Sequence, residues 1–293
     1  MNKYFMEIGY EAEVSTEESP ELIPFAEELC NEYRDTRDAK IKQLREMILD
    51  RKECNPYRMD DEFLLKFLRV KCFVVPRAHK QLVRYCKFKE TYKYLTDGVE
   101  LWGLSKVGQV YGGTLLDHPD IGRLTVFHLG AWDPYELTID ELGQCAYALI
   151  EIGLRQPKVQ VLGSTVIIDL GGLTIQQLSK FTPSHLHQFV SMMGLALPIR
   201  VKACHIINYS WMLSSFFYLF RRIIPRYAWG LLHFHGSDLN SLYKYINPEF
   251  LPPVYGGTCK YTGDVGTWLK KIKKYRDEKF DKDMKELGYI IKE

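Results

Sequence analysis

Residues 198–236 read PIRVKACHIINYSWMLSSFFYLFRRIIPRYAWGLLHFHG, and no charged side chain falls between Ala203 and Phe220. Any fold of this chain must find cover for that stretch. Its first third, Val201 to Ile207, is β-branched and apolar, the pattern of a buried strand. From Trp211 to Ile224, Met212, Phe216, Leu219, Phe220 and Ile223 recur at helical spacing. Phe217 and Tyr218 widen that face beyond the stripe one core contact needs. The cover is core, a membrane, a partner or a lipid. A spanning helix needs ~20 apolar residues. His205, Asn208, Tyr209, Ser210, Ser214 and Ser215 interrupt this run, and its first third reads as strand, so it is not a span. The amino terminus carries Glu7, Glu11 and Glu13 where a signal peptide has a basic region.

The chain of 293 residues is long enough for a large domain, alone or with a smaller one. A net charge of +2 gives no overall nucleic-acid signature. Charge is distributed unevenly, however. Up to Glu32 the only base is Lys3, whereas Lys270, Lys271, Lys273, Lys274 and Arg276 cluster near the other end. Seven cysteines, an odd number, fit reduced thiols in a cytoplasmic protein. None has zinc-site spacing, and no metal or cofactor is expected.

Residues 1–20 lack apolar periodicity and are expected to be a loose acidic tail. Residues 21–98 read as an all-helical domain. Ile41, Leu44 and Ile48 share one helix face, Asp60 and Asp61 open a helix burying Phe63, Leu64, Phe67 and Leu68, and Pro76 starts another carrying Leu82, Val83, Tyr85 and Cys86. The pattern then changes. Val107–Leu116 and Arg123–Leu129 read as strands flanking the turn HPDIG. Thr138 and Glu141 form a capping box ahead of Leu142, Cys145, Ala146, Leu149 and Ile150. Val161–Leu170 reads as a buried strand, and Thr182-Pro183 starts a helix with Leu186, Phe189, Val190, Met193 and Leu197. The strand from Val201 is next, then the apolar helix, a strand at Leu231–Phe234, and a helix capped by Ser237. This alternation predicts an α/β fold with a mainly parallel sheet over residues 99–262. Residues 263–293 read as a C-terminal charged helix, with Trp268, Leu269, Ile272 and Tyr275 inward.

No nucleophile elbow, phosphate loop or dinucleotide fingerprint occurs after any strand. Asp169 ends a strand where a catalytic carboxylate is often found, but its reading here is to satisfy backbone donors of the adjoining Gly-Gly turn. His205, His233 and His235 fall in strands and lack a third metal ligand on one face. Cys204 and His205 point to opposite faces, which excludes a dyad. What remains is excess aromatic surface: Trp211, Phe216, Phe217, Tyr218 and Phe220 on one helix, with Met192 and Met193 on the one before. Burying each is worth ~1.5–3 kcal/mol. A dry cavity filled by an apolar ligand, under a mobile helix, accounts for them.

The motifs DDEFLLKFLRVKCF, AWDP at Ala131–Pro134, VIIDLGG at Val166–Gly172, PIRVKACHIIN at Pro198–Asn208, FHG at Phe234–Gly236 and LPPVYGGT at Leu251–Thr258 occur in this order. Together they make the chain similar to the CRAL-TRIO lipid-binding family, over about Asp60 to Tyr261. The resemblance implies a small helical domain and then an αβα sandwich with a hydrophobic pocket under a gate helix, roughly Asn208 to Leu231. It implies non-enzymatic binding and transfer of one hydrophobic molecule such as a retinoid, tocopherol or carotenoid. The matching lining positions are Gly143, Ala146, Tyr147, Ile150, Ser164, Ile168, Phe189, Met192, Met193, Leu197, Ile199, Val201, Cys204 and Tyr218, with Phe217 beside them. Relatives also use a phosphoinositide cleft. Its positions fall on Lys71, Arg200, Lys202, Tyr227 and Leu231, with Arg221, Arg222 and Arg226 nearby.

The expectation is a soluble cytoplasmic monomer that carries one hydrophobic ligand, visits anionic membranes and binds no nucleic acid. The alternative is a phosphoinositide-reading trafficking adaptor without tightly held cargo. A lipid-directed enzyme is the third reading, for which only Asp169 and the histidines speak.

Overall fold

The computed structural model describes residues 3–209, 224 and 226–293. The first part is helical: α1 (Lys3–Ala12), α2 (Ile23–Cys30), α3 (Arg34–Arg51), α4 (Asp61–Val70) and α5 (Val75–Thr91). Asp60 caps α4 by accepting the Phe63 N–H at 3.0 Å. Helix α4 is buried all round, so its two cations need partners inside the protein. Lys66 meets Glu151 at 3.5 Å, and the Tyr85 hydroxyl donates to the same carboxylate at 2.8 Å. Arg69 donates to Glu32 at 2.8 and 2.9 Å and to Gln160 at 2.7 Å. The bonds to Glu151 and Gln160 clasp the helical region to the sheet-bearing region.

That region begins with a 3-10 segment at Trp102–Val110, then β1 (Tyr111–His118), β2 (Gly122–His128), α6 (Ile139–Gly153), α7 (Pro157–Leu162), β3 (Ser164–Asp169), α8 (Ile175–Ser179), α9 (Pro183–Ser191) and β4 (Val201–Ile207). Its remaining elements are β5 (Leu232–Gly236), α10 (Leu239–Tyr243), β6 (Thr262–Asp264), α11 (Val265–Tyr275) and α12 (Glu278–Leu287). The sheet order is β5-β4-β3-β2-β1-β6. Strands β2 to β5 are parallel, while β1 and β6 add antiparallel pairs at the edge. Apolar side chains cover both faces. Leu124, Val126, Ile167 and Ile207 pack with Leu242, Ile246, Leu251 and Tyr255 on one side, and Phe127 and Val166 belong to the core on the other. The result is the expected mainly parallel α/β sandwich behind a helical region.

Several boundaries move. Residues 107–110 belong to the 3-10 segment, and 161–162 end α7 before Gly163 turns the chain into β3. Asp238, not Ser237, caps α10. The C-terminal charged helix is two helices. Extended Arg276 breaks them, and Asp277 caps the second through the Phe280 N–H at 2.7 Å.

Residues 1–20 are not a loose tail. Helix α1 buries Tyr10, and Glu13 just past it is 1 % exposed. Glu13 takes two bonds of 2.7 Å from Arg123 on β2 and one of 3.0 Å from the Trp268 indole. Glu7 pairs with Lys271 and, at 3.2 Å, with Lys274. Glu7 thus pairs with two residues of the basic C-terminal cluster and Glu13 with Arg123, and these charge pairs help dock a helix whose apolar pattern alone is too weak to predict it.

Candidate ligand cavity

The sheet face opposite the Leu124–Tyr255 core borders a cavity of about 420 Å³. Val166 and Ile168 of β3, Phe127 of β2, Cys204 and Ile206 of β4, and Leu232 and Phe234 of β5 line it from the sheet. Alternation explains most of this set. The exception is β4, where Val201 and Cys204, three apart, both line the cavity. The register slips there, with Ser164 opposite Val201 but Thr165 opposite Ala203, so one extra residue re-aims the strand. Helices α6 and α9 supply Leu142, Gly143, Leu186, Phe189 and Val190. Their positions are set by caps. The Glu141 N–H donates to Thr138 Oγ1 at 3.2 Å, and the Glu141 carboxylate takes the Thr138 N–H at 2.8 Å. Thr182 caps α9, with Pro183 at its first turn.

A side chamber of about 100 Å³ shares Tyr111, Phe127, Val166, Met193 and Ile199 with the main cavity. Its far end is polar, reaching Arg123, Glu13 and Trp268.

Of the expected lining residues, Gly143, Ile168, Phe189, Met192, Met193, Ile199, Val201 and Cys204 border the main cavity. Ala146, Ile150 and Ser164 border the side chamber. Tyr147 and Leu197 border neither. Gly143, Ala146 and Ile150 are three and four apart on α6 and share a face, whereas Tyr147 is one step round and stacks on Phe88 at 6.0 Å. Leu197 is buried where the chain leaves the helical turn for β4, its carbonyl held by Gln81 at 3.1 Å. Phe217, Tyr218, Arg221 and Arg222, and with them most of the expected gate helix, lie outside the described residues. Tyr111, Phe181 and Leu186 line the cavity and were not anticipated.

The basic positions gather around Arg200, whose guanidinium donates to the Arg69 carbonyl at 3.0 Å. Burial, then the fields of Arg84, Arg200 and Arg77, push the Lys71 ammonium below its ordinary range. Lys202 is lowered by burial with Arg200 adding to it, and its ammonium donates to the carbonyls of Pro119 and, at 3.1 Å, Asp120. Arg77 and Arg84 on α5 were missed in the sequence, although their seven-residue spacing places them on one helix face.

Residues 119–257, which hold most of the cavity, match the family model for the CRAL/TRIO domain. Over that span, a little under half of its length, the chain is similar to a CRAL/TRIO domain. That family is one of lipid-binding and lipid-transfer proteins. Clavesin-2 of Rattus norvegicus and of Homo sapiens is 29 % identical to the chain over 273 residues, covering 90 % of it and 81 % of clavesin-2. Clavesin-1 of Pongo abelii is 28 % identical over 262 residues, 87 % of this chain and 73 % of its own. The crystal structure of Sfh5 aligns at 14 % identity with a TM-score of 0.48, over 78 % of this chain and 90 % of Sfh5.

Two polar clusters of this region lie on the sheet side away from the cavity, the first of them at the strand ends. Asp169 accepts the Gly171 N–H, the Asn208 amide and the Tyr255 hydroxyl, each at 2.9 Å. His128 joins at 3.0 Å from the Tyr255 oxygen. Burial raises the Asp169 carboxyl, but hydrogen bonds led by His128 outweigh it and hold it at about 2. Asp169 therefore ties three loops together, including Asn208 in the left-handed region (φ 54°) at the exit of β4. On the same sheet face, within the strands, His205 Nδ1 lies 2.9 Å from His235 Nε2, His235 Nδ1 lies 2.5 Å from Ser241 Oγ, and His233 stacks on His205 at 5.0 Å. Burial, helped by the other two imidazoles, pushes His205 down to about 3. Among the described residues no group of three or more His, Cys, Asp or Glu side chains is placed to hold a metal, and no helix is long and apolar enough to cross a membrane.

Proposed function

We propose that this protein is a non-catalytic carrier that holds one hydrophobic small molecule in its cavity and transfers it at membranes. The observation that carries this reading is the cavity itself. Apolar walls around a cavity of about 420 Å³ either lose their packing contacts or face water, and both are costly. An apolar occupant removes the cost, and binding should track burial rather than charge. The cargo class is a retinoid, tocopherol, carotenoid or similar lipid.

In this reading residues 21–98 brace the cavity-bearing region 99–262, and the segment from Asn208 to Leu231 is the gate. Phe216, Phe217 and Phe220 roof the cargo in solution and enter the interface at a membrane, while Arg221, Arg222 and Arg226 meet anionic headgroups. The chain works as a monomer, peripheral to the bilayer. Transfer of a fluorescent apolar cargo between liposomes tests it: the wild type transfers, and Phe217→Asp transfers less, because a carboxylate must be desolvated in either state. No transfer and no apolar binding by the wild type would end the carrier reading. Wild-type transfer by a folded Phe217→Asp variant would remove this helix from the gate.

The second reading, a phosphoinositide-reading adaptor without held cargo, draws on the cations Lys71, Arg77, Arg84 and Arg200, whose mutual repulsion an anionic headgroup would relieve. It predicts recruitment to phosphoinositide liposomes by a protein that saturates with no apolar ligand.

A further inference from the structure

The cavity lining is largely apolar apart from Arg200 and the end between α6 and α9, and at that end one polar side chain is left half-satisfied. Gln188 on α9 lines the cavity and is only 6 % exposed. Its Oε1 accepts the Tyr94 hydroxyl at 2.5 Å, which leaves the other end of the carboxamide for a further partner. Its Nε2 has no acceptor among the described residues. The side chain is more than nine-tenths buried and lines the cavity, so this nitrogen is a donor still open to a partner at the cavity wall.

The opposing helix makes room for that nitrogen. Gly143 of α6 also lines the cavity, and a Cβ there would stand 3.3 Å from Gln188 Nε2. Gly143 lies inside the helix with no positive φ, so the backbone does not require glycine, and glycine weakens a helix interior. The chain thus places two features at one spot, an open donor and a helical glycine that the backbone does not require. Both are explained if something else hydrogen-bonds there.

The rim adds a charge constraint. Asp140, at the first turn of α6, lines the same end, with His185 Nε2 3.9 Å from its carboxylate. An anionic group brought to this end would meet a like charge as well as lose its water.

We propose that the Gln188 carboxamide is the polar anchor of the cargo, and that the cargo is an apolar molecule bearing one uncharged oxygen, a hydroxyl or carbonyl, at the end that lodges between α6 and α9. This rests on the carrier reading. It adds that the cavity selects by end group as well as by size.

The test uses the full chain and three fluorescent probes with one apolar body: 1-pyrenebutanol, 1-butylpyrene and 1-pyrenebutyric acid. Wild type should bind the alcohol roughly tenfold more tightly than the alkane, the worth of about one hydrogen bond, and more tightly than the acid. Gln188→Met, close in shape but without a donor, should bind alcohol and alkane equally while keeping its alkane affinity. Gln188→Leu provides a second variant, and thermal melts establish that both fold. Equal wild-type binding of alcohol and alkane, or an alcohol preference that survives both substitutions, overturns the anchor and leaves the carrier reading standing. A preference for the acid overturns the uncharged-oxygen assignment and points to Arg200 instead. Failure of all three probes to saturate the wild type overturns the anchor together with the carrier reading.

Discussion

Replacing Asp169 separates an architectural role from a chemical one. The carboxylate accepts three hydrogen bonds of 2.9 Å, from Gly171, Asn208 and Tyr255. Bonds to a charged acceptor are worth ~1.5–3 kcal/mol each. In Asp169→Ala, Tyr255 keeps His128, so the net loss is about 3–4 kcal/mol, or roughly 8–12 °C in Tm. Asp169→Asn retains an oxygen for Gly171 and Asn208 and should recover about half of that. The pH dependence has a definite sign. The folded carboxyl sits at about 2 and the unfolded one at 3.8, so its contribution is fully present above about pH 4 and is lost as pH falls from there toward 2. The size of that limb is about 2 kcal/mol. Thermal and urea denaturation of wild type and both variants at pH 7, 4 and 3 read it directly. A wild-type Tm in Asp169→Ala would refute the reasoning. Loss of a lipid-converting turnover at unchanged stability would give Asp169 a chemical role instead.

Three further outcomes are expected from the same structure. His205 is buried neutral beside His233 and His235, with its imidazole lowered to about 3, so the unfolded chain takes up a proton that the folded one refuses. Stability in urea should therefore fall by roughly 1–2 kcal/mol from pH 7 to pH 5, and His205→Leu should flatten that fall. Cys204→Trp places an indole in the cavity and should weaken 1-butylpyrene binding at least about tenfold with the fold retained by circular dichroism; unchanged affinity would mean the probe binds elsewhere. Lys71→Ala with Arg84→Ala spares Arg200, which holds the Arg69 carbonyl, and should reduce recruitment to phosphatidylinositol bisphosphate liposomes by about 10- to 30-fold at ~1 kcal/mol per cation, with apolar binding intact.

The features legible in the sequence are those set by local rules. The capping box at Thr138–Glu141, the Thr182-Pro183 start and the largely apolar, β-branched β4 each declare themselves within a few residues, and each stands where expected. The expected cavity positions on the sheet rest on the resemblance to the CRAL-TRIO family, and strand alternation accounts for most of them once the sheet is in view. Val201 with Cys204 was not derivable that way, since a bulge breaks the alternation. Helix α1 was hidden because its docking comes from Glu7 and Glu13 meeting Lys271 and Arg123, more than a hundred residues away. Tyr147 was expected from the family match, but it borders neither chamber because the helix turns it one step away from the face that Gly143, Ala146 and Ile150 share. Gln188 carries no signal in one dimension: its meaning arises only when α6 brings Gly143 opposite it and Tyr94 occupies its oxygen.

The central claim is that the cavity holds a hydrophobic molecule. Organic extraction of the freshly purified full chain, with the extract quantified by mass spectrometry against protein, tests it most directly. The account predicts about one equivalent of a single class of apolar molecule, carrying a hydroxyl or carbonyl oxygen, and a stripped protein that melts lower until the molecule is restored. An extract empty of such a molecule, from a protein whose melting is unmoved by a broad panel of apolar ligands, would contradict it.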